Sequence, residues 1–195
     1  MPRPDHVRSS SHNGCVRNRP RVGISRCLLG DAVRYDGGHK RDSCLVEALG
    51  PYVEWVSVCP EVEVGMGAPR EPIHLVSAGG SVTSPDASVR LIAVRSGVDW
   101  TEPMREWSRH RVRELARLGL CGYVLKADSP SCGLVDVRVT HGDAVTSTGR
   151  GLFAQALVDG IPNLPVEEET HLHDRRACES FLERVFAYRD RTERG

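Results

Sequence analysis

Three cysteines stand in separate, unusual local settings that could bring their thiols together. Cys27 lies in GISRCLLG, Cys59 in VSVCPEVE and Cys132 in LKADSPSCG, and no two of them form a CxxC pair. Each follows a short apolar run that predicts a strand, so each thiol is expected on a loop at the end of a strand. Three thiolates are too many for one disulfide and too few to enclose a metal with sulfur alone. The spacing therefore predicts a metal or iron–sulfur centre with one position open to substrate.

The elements that must carry these cysteines alternate between strand-like and helix-like segments. Strands are predicted over 21–26, 52–58, 89–94, 122–126 and 135–140, helices over 40–49, 101–118, 148–159 and 173–189, and a loop or hairpin over 71–83 around Gly79 and Gly80. This alternation predicts an α/β fold: a single domain, 21–191, with a largely parallel sheet flanked by helices in a Rossmann-like three-layer arrangement. In such sheets ligands bind beyond the carboxyl ends of the strands. The three cysteines are expected at that edge.

The bulk composition is that of an ordinary globular protein. The 195 residues carry a formal net charge of +0 and 39% hydrophobic side chains, so the overall charge does not favour nucleic acid as a partner. No apolar stretch approaches the roughly 20 residues that span a bilayer. Residues 1–20 are polar and arginine-rich without an apolar core, which predicts a disordered basic tail rather than a secretory signal. Seven cysteines, an odd number, fit a reducing compartment, so the sequence predicts a cytoplasmic protein.

Four motifs, in order, carry a resemblance to a known family. They are GISRCLLG with Tyr35-Asp36-Gly37, CPE with a glycine-rich turn and PR, LKADSPSCG, and GRGLFA. From about residue 21 to about residue 170 the chain resembles a bacterial family, long a domain of unknown function, that includes the thiouracil desulfidases. The resemblance implies a four-iron, four-sulfur cluster held by Cys27, Cys59 and Cys132, with the fourth iron open. The implied reaction replaces C=S by C=O in a 2-thiouracil-like pyrimidine, releasing sulfide without net redox change.

Two further side chains are candidates for the catalytic chemistry. Glu61, two residues after Cys59, is the predicted acid/base group, and the alternative for it is a structural ion pair with Arg70. Ser131, directly before Cys132, is predicted to donate a hydrogen bond to cluster sulfur or to substrate.

Two other interpretations remain open at this point. A fourth cysteine, of which Cys44 is the nearest, would close the cluster and give a redox or sensor protein. Alternatively, the three cysteines with an imidazole such as that of His74 would form a closed structural zinc site. The expected partner is a small thiolated pyrimidine, and RNA is not favoured, because the chain ends near Gly195 without the extra domain of relatives that resemble transfer-RNA desulfidases.

Overall fold

A computed structural model describes residues 19–77, 89–141 and 144–194, and these alternate strands with helices. The strands are β1 (Arg21–Ser25), β2 (Glu54–Val58), β3 (Ile73–Ser77), β4 (Val89–Ala93), β5 (Leu120–Leu125), β6 (Val137–His141), β7 (Ala144–Gly149) and β8 (Val166–Glu168). The helices are α1 (Ser43–Leu49), α2 (Pro60–Glu63), α3 (Thr101–Arg117), α4 (Leu152–Gly160) and α5 (Arg175–Thr192). The predicted turn at Gly79 and Gly80 lies outside the described residues, and so do residues 1–18 of the predicted tail.

A parallel sheet forms the centre of the domain, as predicted. Its order is β2-β1-β5-β8, and every neighbouring pair is parallel. Position 23 in β1 requires glycine, because a Cβ there would lie 2.1 Å from the ring of Tyr123 in β5. Because the four strands run the same way, their carboxyl ends meet at one edge. The α/β prediction with a largely parallel sheet is confirmed.

Helices cover both faces of this sheet, which gives the three layers. On one face, Val22 and Val124 pack with Phe181 and Val185 of α5. On the other face, Tyr123 packs against α3 and α4, and its ring meets Phe153 at 5.7 Å between centroids. Burying large apolar side chains on both faces fixes the strand ends rigidly, which is what a site at the sheet edge requires.

A second, mixed sheet was not predicted. Its order is β4-β3-β6-β7, with β3 and β6 parallel and both outer pairs antiparallel. Strand β3 lies in the segment predicted as loop or hairpin. The predicted helix over 148–159 also started too early, because Thr148 and Gly149 end β7 and α4 begins only at Leu152.

The ends of two elements show how they join the domain. Thr101 starts α3 as predicted, and its hydroxyl accepts a hydrogen bond from Leu91 N at 2.9 Å, which ties the helix to β4. Pro20, the last residue of the predicted tail, is buried and its carbonyl accepts from Glu54 N at 3.0 Å, so Pro20 is already part of the domain. None of the helices within the described ranges is both long and apolar enough to cross a membrane.

Candidate functional site

The carboxyl edge of the parallel sheet brings the three predicted cysteines to one cavity. Cys27 lies in the 3-10 turn that follows β1, Cys59 follows β2, and Cys132 lies in the loop after β5. All three line a cavity of about 520 Å³. Its other lining residues are Ser25, Arg26, Val33, Arg34, Tyr35, Lys40, Val58, Pro60, Glu61, Arg70, Pro72, Ile73, Lys126, Ala127, Asp128, Ser129 and Pro130. The predicted convergence is therefore present in the structure.

The thiols of these cysteines are largely shielded from water and sense one another. Burial raises the pKa of Cys27 to about 11, and the nearby Cys59 adds to the effect. Burial also raises the pKa of Cys132 well above its ordinary value, against the opposing effect of a hydrogen bond with the Ser25 side chain. In the metal-free protein the thiols are thus protonated at neutral pH, and binding of metal must displace their protons.

Two observations on the described residues bear on the closed zinc interpretation. In tetrahedral zinc sites with Zn–S bonds of about 2.3 Å, the sulfurs lie about 3.8 Å apart. Across the described part of the chain, no three Cys, His, Asp or Glu side chains are placed to hold one metal ion. His74, the imidazole of the zinc interpretation, is on β3 and does not line the cavity. Three thiols around a shared space fit an inorganic core that lies between them.

No fourth cysteine faces the cavity among the residues whose positions are described. Cys44 is exposed on α1 and does not line the cavity. Cys121 and Cys178 are buried in the core between the sheet, α1 and α5. Cys15 lies outside the described residues. Among the described cysteines, the cavity is thus lined by Cys27, Cys59 and Cys132.

Glu61 reaches the cavity from the first turn of α2, for which Cys59 is the N-cap residue. Arg70 donates from Nε to Glu61 Oε2 at 2.8 Å and also from Nη2 to the same oxygen. Nη1 of Arg70 donates to Val33 O at 2.8 Å and to Gly67 O at 2.7 Å. The ion pair weighed as the alternative for Glu61 is thus present. Both guanidinium bonds go to Oε2, and no described residue donates to Oε1, which remains available to a ligand or water.

The neighbouring Glu63 has a structural role. Its Oε1 accepts a hydrogen bond from Cys59 N at 3.0 Å, and its carboxylate pairs with Arg111 of α3 at 3.3 Å. These contacts fix the backbone at Cys59 and the start of α2. The acid/base assignment therefore rests on Glu61 alone in this short helix.

The loop that carries Cys132 is held from within and by α4. Ser129 lines the cavity and its Oγ accepts from Cys132 N at 3.0 Å, whereas Ser131 is fully buried and does not line the cavity. The Oγ of Ser131 has no hydrogen-bond partner among the described residues. The carbonyl of Ser131 accepts from Phe153 N at 3.0 Å, so the start of α4 docks on this loop. The GRGLFA motif therefore positions Cys132, and the Phe153 amide, which donates to Ser131, is not free to bind a ligand.

Two adjacent glutamates that the sequence analysis missed clamp the same loop at both ends. Glu169 accepts from Lys126 Nζ at 2.5 Å and from Ala127 N at 2.6 Å. Glu168 accepts from Leu134 N at 2.7 Å. Glu168 ends the three-residue strand β8 and Glu169 follows it; the strand is too short to be recognised from its pattern, and the acidic run at 167–169 was its one visible signal.

The rim of the cavity is basic. Five cations line it against two carboxylates: Arg26, Arg34, Lys40, Arg70 and Lys126 against Glu61 and Asp128. Arg26, Arg34 and Lys126 are also held by carboxylates that do not line the cavity, those of Asp31, Asp36 and Glu169. The Arg34 guanidinium lies over the ring of Tyr35, 5.4 Å from its centroid. Three metal-bound thiolates are anionic, and a basic rim stabilises such a charge.

Fold and site together define an α/β protein with a three-cysteine centre at the carboxyl edge of a parallel sheet. Over residues 22–169 the chain matches the 2-thiouracil desulfurase family, and it belongs to that family. It is 31% identical over 134 residues to the uncharacterized protein YbbK of Bacillus subtilis (strain 168), covering 69% of this chain and 87% of that protein.

A solved structure gives a second comparison. The [4Fe-4S]-dependent thiouracil desulfidase TudS superposes with a TM-score of 0.62 at 28% sequence identity, covering 83% of this chain and 99% of that one. The predicted family and fold are confirmed, and membership indicates an enzyme of the thiouracil desulfidase type in the broad sense.

Proposed function

We propose that this protein is a non-redox, iron–sulfur-dependent desulfidase that converts C=S to C=O in 2-thiouracil-like pyrimidines. The overall change adds one water and releases one hydrogen sulfide, so no electrons are gained or lost. The observation that carries the proposal is that Cys27, Cys59 and Cys132 line one cavity together with a carboxylate. The family match and the [4Fe-4S]-dependent structural relative support it.

The residues present fit a four-iron, four-sulfur cluster bound by the three cysteines. When bound, such a cluster would supply an open iron, a Lewis acid with affinity for thiocarbonyl sulfur. The chain itself supplies the basic rim that compensates the negative charge, and the clamps of Glu168 and Glu169 that hold the Cys132 loop.

Glu61 is the group that we expect to move protons. Its Oε2 is fixed by Arg70, so the carboxylate keeps one orientation, and Oε1 is left to accept a proton from water or to return one to the leaving sulfur. Arg70 acts through Glu61, since four of its five N–H groups are engaged, two by Glu61 Oε2 and two by the carbonyls of Val33 and Gly67. Ser131 stays a proposal as a donor to cluster sulfur, based on its buried hydroxyl without a described partner.

The cavity suits a small heterocycle. Its volume of about 520 Å³ lies within the range of roughly 300–1,000 Å³ of ordinary small-molecule sites. The described cysteines are all free thiols, which fits a reducing compartment, and we place the enzyme in the cytoplasm.

Anaerobic reconstitution followed by a thiouracil turnover assay tests the proposal. Glu61→Gln is expected to keep the cluster absorbance and to lose turnover by about a hundredfold or more, the usual contribution of a general acid or base. Glu47→Gln is the matched control, because Glu47 is exposed on α1 and does not line the cavity. Full turnover by Glu61→Gln would remove this carboxylate from the mechanism.

If wild-type protein with an intact cluster showed no thiouracil turnover, the sensor interpretation would be favoured. Zinc without iron or sulfide in anaerobically purified protein would favour the structural zinc site.

A further inference from the structure

A second cavity lies away from the cysteines, between α3, α4 and the mixed sheet. Its volume is about 660 Å³. It is lined by Val89, Arg105, Arg109, Val112, Arg113, Val139, Thr148, Gly149, Arg150, Leu152, Gln155, Ala156, Asp159 and Gly160. None of these residues lines the cavity of the three cysteines.

One wall of this cavity is a row of arginines on α3. Arg105, Arg109, Arg113 and Arg117 follow one another at intervals of four residues, and the first three line the cavity. Like charges at this interval destabilise a helix, because the side chains are neighbours on its surface. Arg105 pairs with Glu102 at 2.8 Å, whereas Arg109 and Arg113 have no hydrogen bond or ion pair within the described parts of the chain. Arg109 and Arg113 therefore concentrate positive charge at the cavity for which the described residues supply no ion pair.

The opposite wall contributes a further cation and little negative charge. Arg150 donates to Leu134 O at 2.9 Å and to Gln155 Oε1 at 3.1 Å, so its guanidinium is held in place at the cavity. Asp159 is the one acidic side chain among the described lining residues, and its carboxylate accepts two hydrogen bonds from Gln155. The charge balance favours a dianion over a monoanion.

The floor between these walls is apolar. It is formed by Val89, Val112, Val139, Leu152 and Ala156. An apolar floor with a few convergent charged groups is the usual composition of a small-molecule site. Guanidinium groups bind phosphate through paired hydrogen bonds and also stack on planar rings.

We propose that this cavity binds a phosphate monoester with a planar ring, of the nucleoside monophosphate class. The phosphate, close to −2 at neutral pH, would lie against Arg109, Arg113 and Arg150, and the ring over the apolar floor. A nucleic-acid strand is the rival occupant. It fits less well, because strand-binding surfaces rely on stacking aromatic side chains and none is found among the described lining residues.

Isothermal titration of the anaerobically reconstituted protein with adenosine 5′-monophosphate tests the proposal. A purine is outside the proposed substrate class, so the titration reports the second cavity and is independent of the desulfidase proposal. We expect a dissociation constant below about 1 mM, with adenosine and inorganic phosphate each binding at least tenfold more weakly.

Arg109→Ala/Arg113→Ala is expected to weaken this binding at least tenfold. Both side chains are exposed and alanine favours helix, so the variant should fold, which circular dichroism checks. Arg117→Ala is the matched control, because it removes a charge from the same row outside the cavity. We expect it to bind as the wild type does.

Three results would overturn the proposal. They are the absence of binding by wild-type protein, equal binding by the wild type and the double variant, and equal loss in Arg117→Ala. Tighter binding of a short RNA that also depends on Arg117 would assign this surface to nucleic acid instead.

Discussion

Replacing Arg70 by methionine tests the geometry that holds Glu61 in the cavity. Arg70 is 7% exposed and its guanidinium donates to the Glu61 carboxylate and to two carbonyls, all of which lose a partner in the variant. Removing one member of a buried ion pair costs about 3–5 kcal/mol. Glu61 keeps 14% exposure, so we expect the low end, about 3 kcal/mol. With a urea dependence of about 2 kcal/mol per molar, the unfolding midpoint should fall by about 1.5 M.

The assay is urea unfolding of the metal-free protein at pH 7, followed by far-ultraviolet circular dichroism. Arg175→Met is the control, because its ion pair with Glu179 is exposed and should contribute less than about 0.5 kcal/mol. Arg70→Met/Glu61→Leu should recover part of the loss, since the double variant has no buried unpaired carboxylate. An Arg70→Met variant within about 0.5 kcal/mol of the wild type would refute the reasoning that Arg70 fixes Glu61.

Three further predictions concern the loop that carries Cys132 and the protonation of the Cys27 thiol. Gly151→Ala should be destabilised by about 2 kcal/mol or more in urea unfolding, because its Cβ would lie 2.5 Å from the backbone of Ser131 in that loop. The control Gly149→Ala would meet only a methyl group of Val139 at 3.3 Å and should stay within about 1 kcal/mol of the wild type. Equal losses in the two variants would contradict the close contact between Gly151 and the loop. Glu169→Gln should release iron to a chelator several times faster than the wild type, because it removes the ion pair with Lys126 that holds the start of the Cys132 loop. Glu179→Gln, at an exposed ion pair, should release iron as the wild type does. In metal-free protein the Cys27 thiol should by itself cost about 2 kcal/mol of stability as the pH rises from about 9 to about 11, because the unfolded thiol ionises near 9 while burial keeps Cys27 protonated to about 11. Cys27→Ser should reduce the total loss over this pH range by about that amount.

The sequence was sufficient to predict the parallel sheet and the three cysteines at its edge, because both follow from local patterns. Short apolar runs mark β1, β2 and β5, and each cysteine comes soon after one of them. The fold class needed no more than the alternation of these runs with amphipathic segments.

What the sequence could not predict depends on contacts between distant segments. Strand β8 has three residues and exists because it pairs with β5, so neither it nor the clamps of Glu168 and Glu169 could be found locally. The docking of α4 on the Cys132 loop also joins residues far apart in sequence. Arg70 was recognised as a partner of Glu61, but only its engagement of two carbonyls shows that it positions the carboxylate.

The most direct test of the three-cysteine centre is the iron and sulfide content of anaerobically reconstituted variants. We predict about four irons and four sulfides per chain for the wild type and for Cys44→Ala, since Cys44 is exposed outside the cavity. Cys132→Ala should lose most of both, because it removes a thiol that lines the cavity. A full cluster in Cys132→Ala, or its loss in Cys44→Ala, would contradict the assignment of Cys27, Cys59 and Cys132 as the ligands.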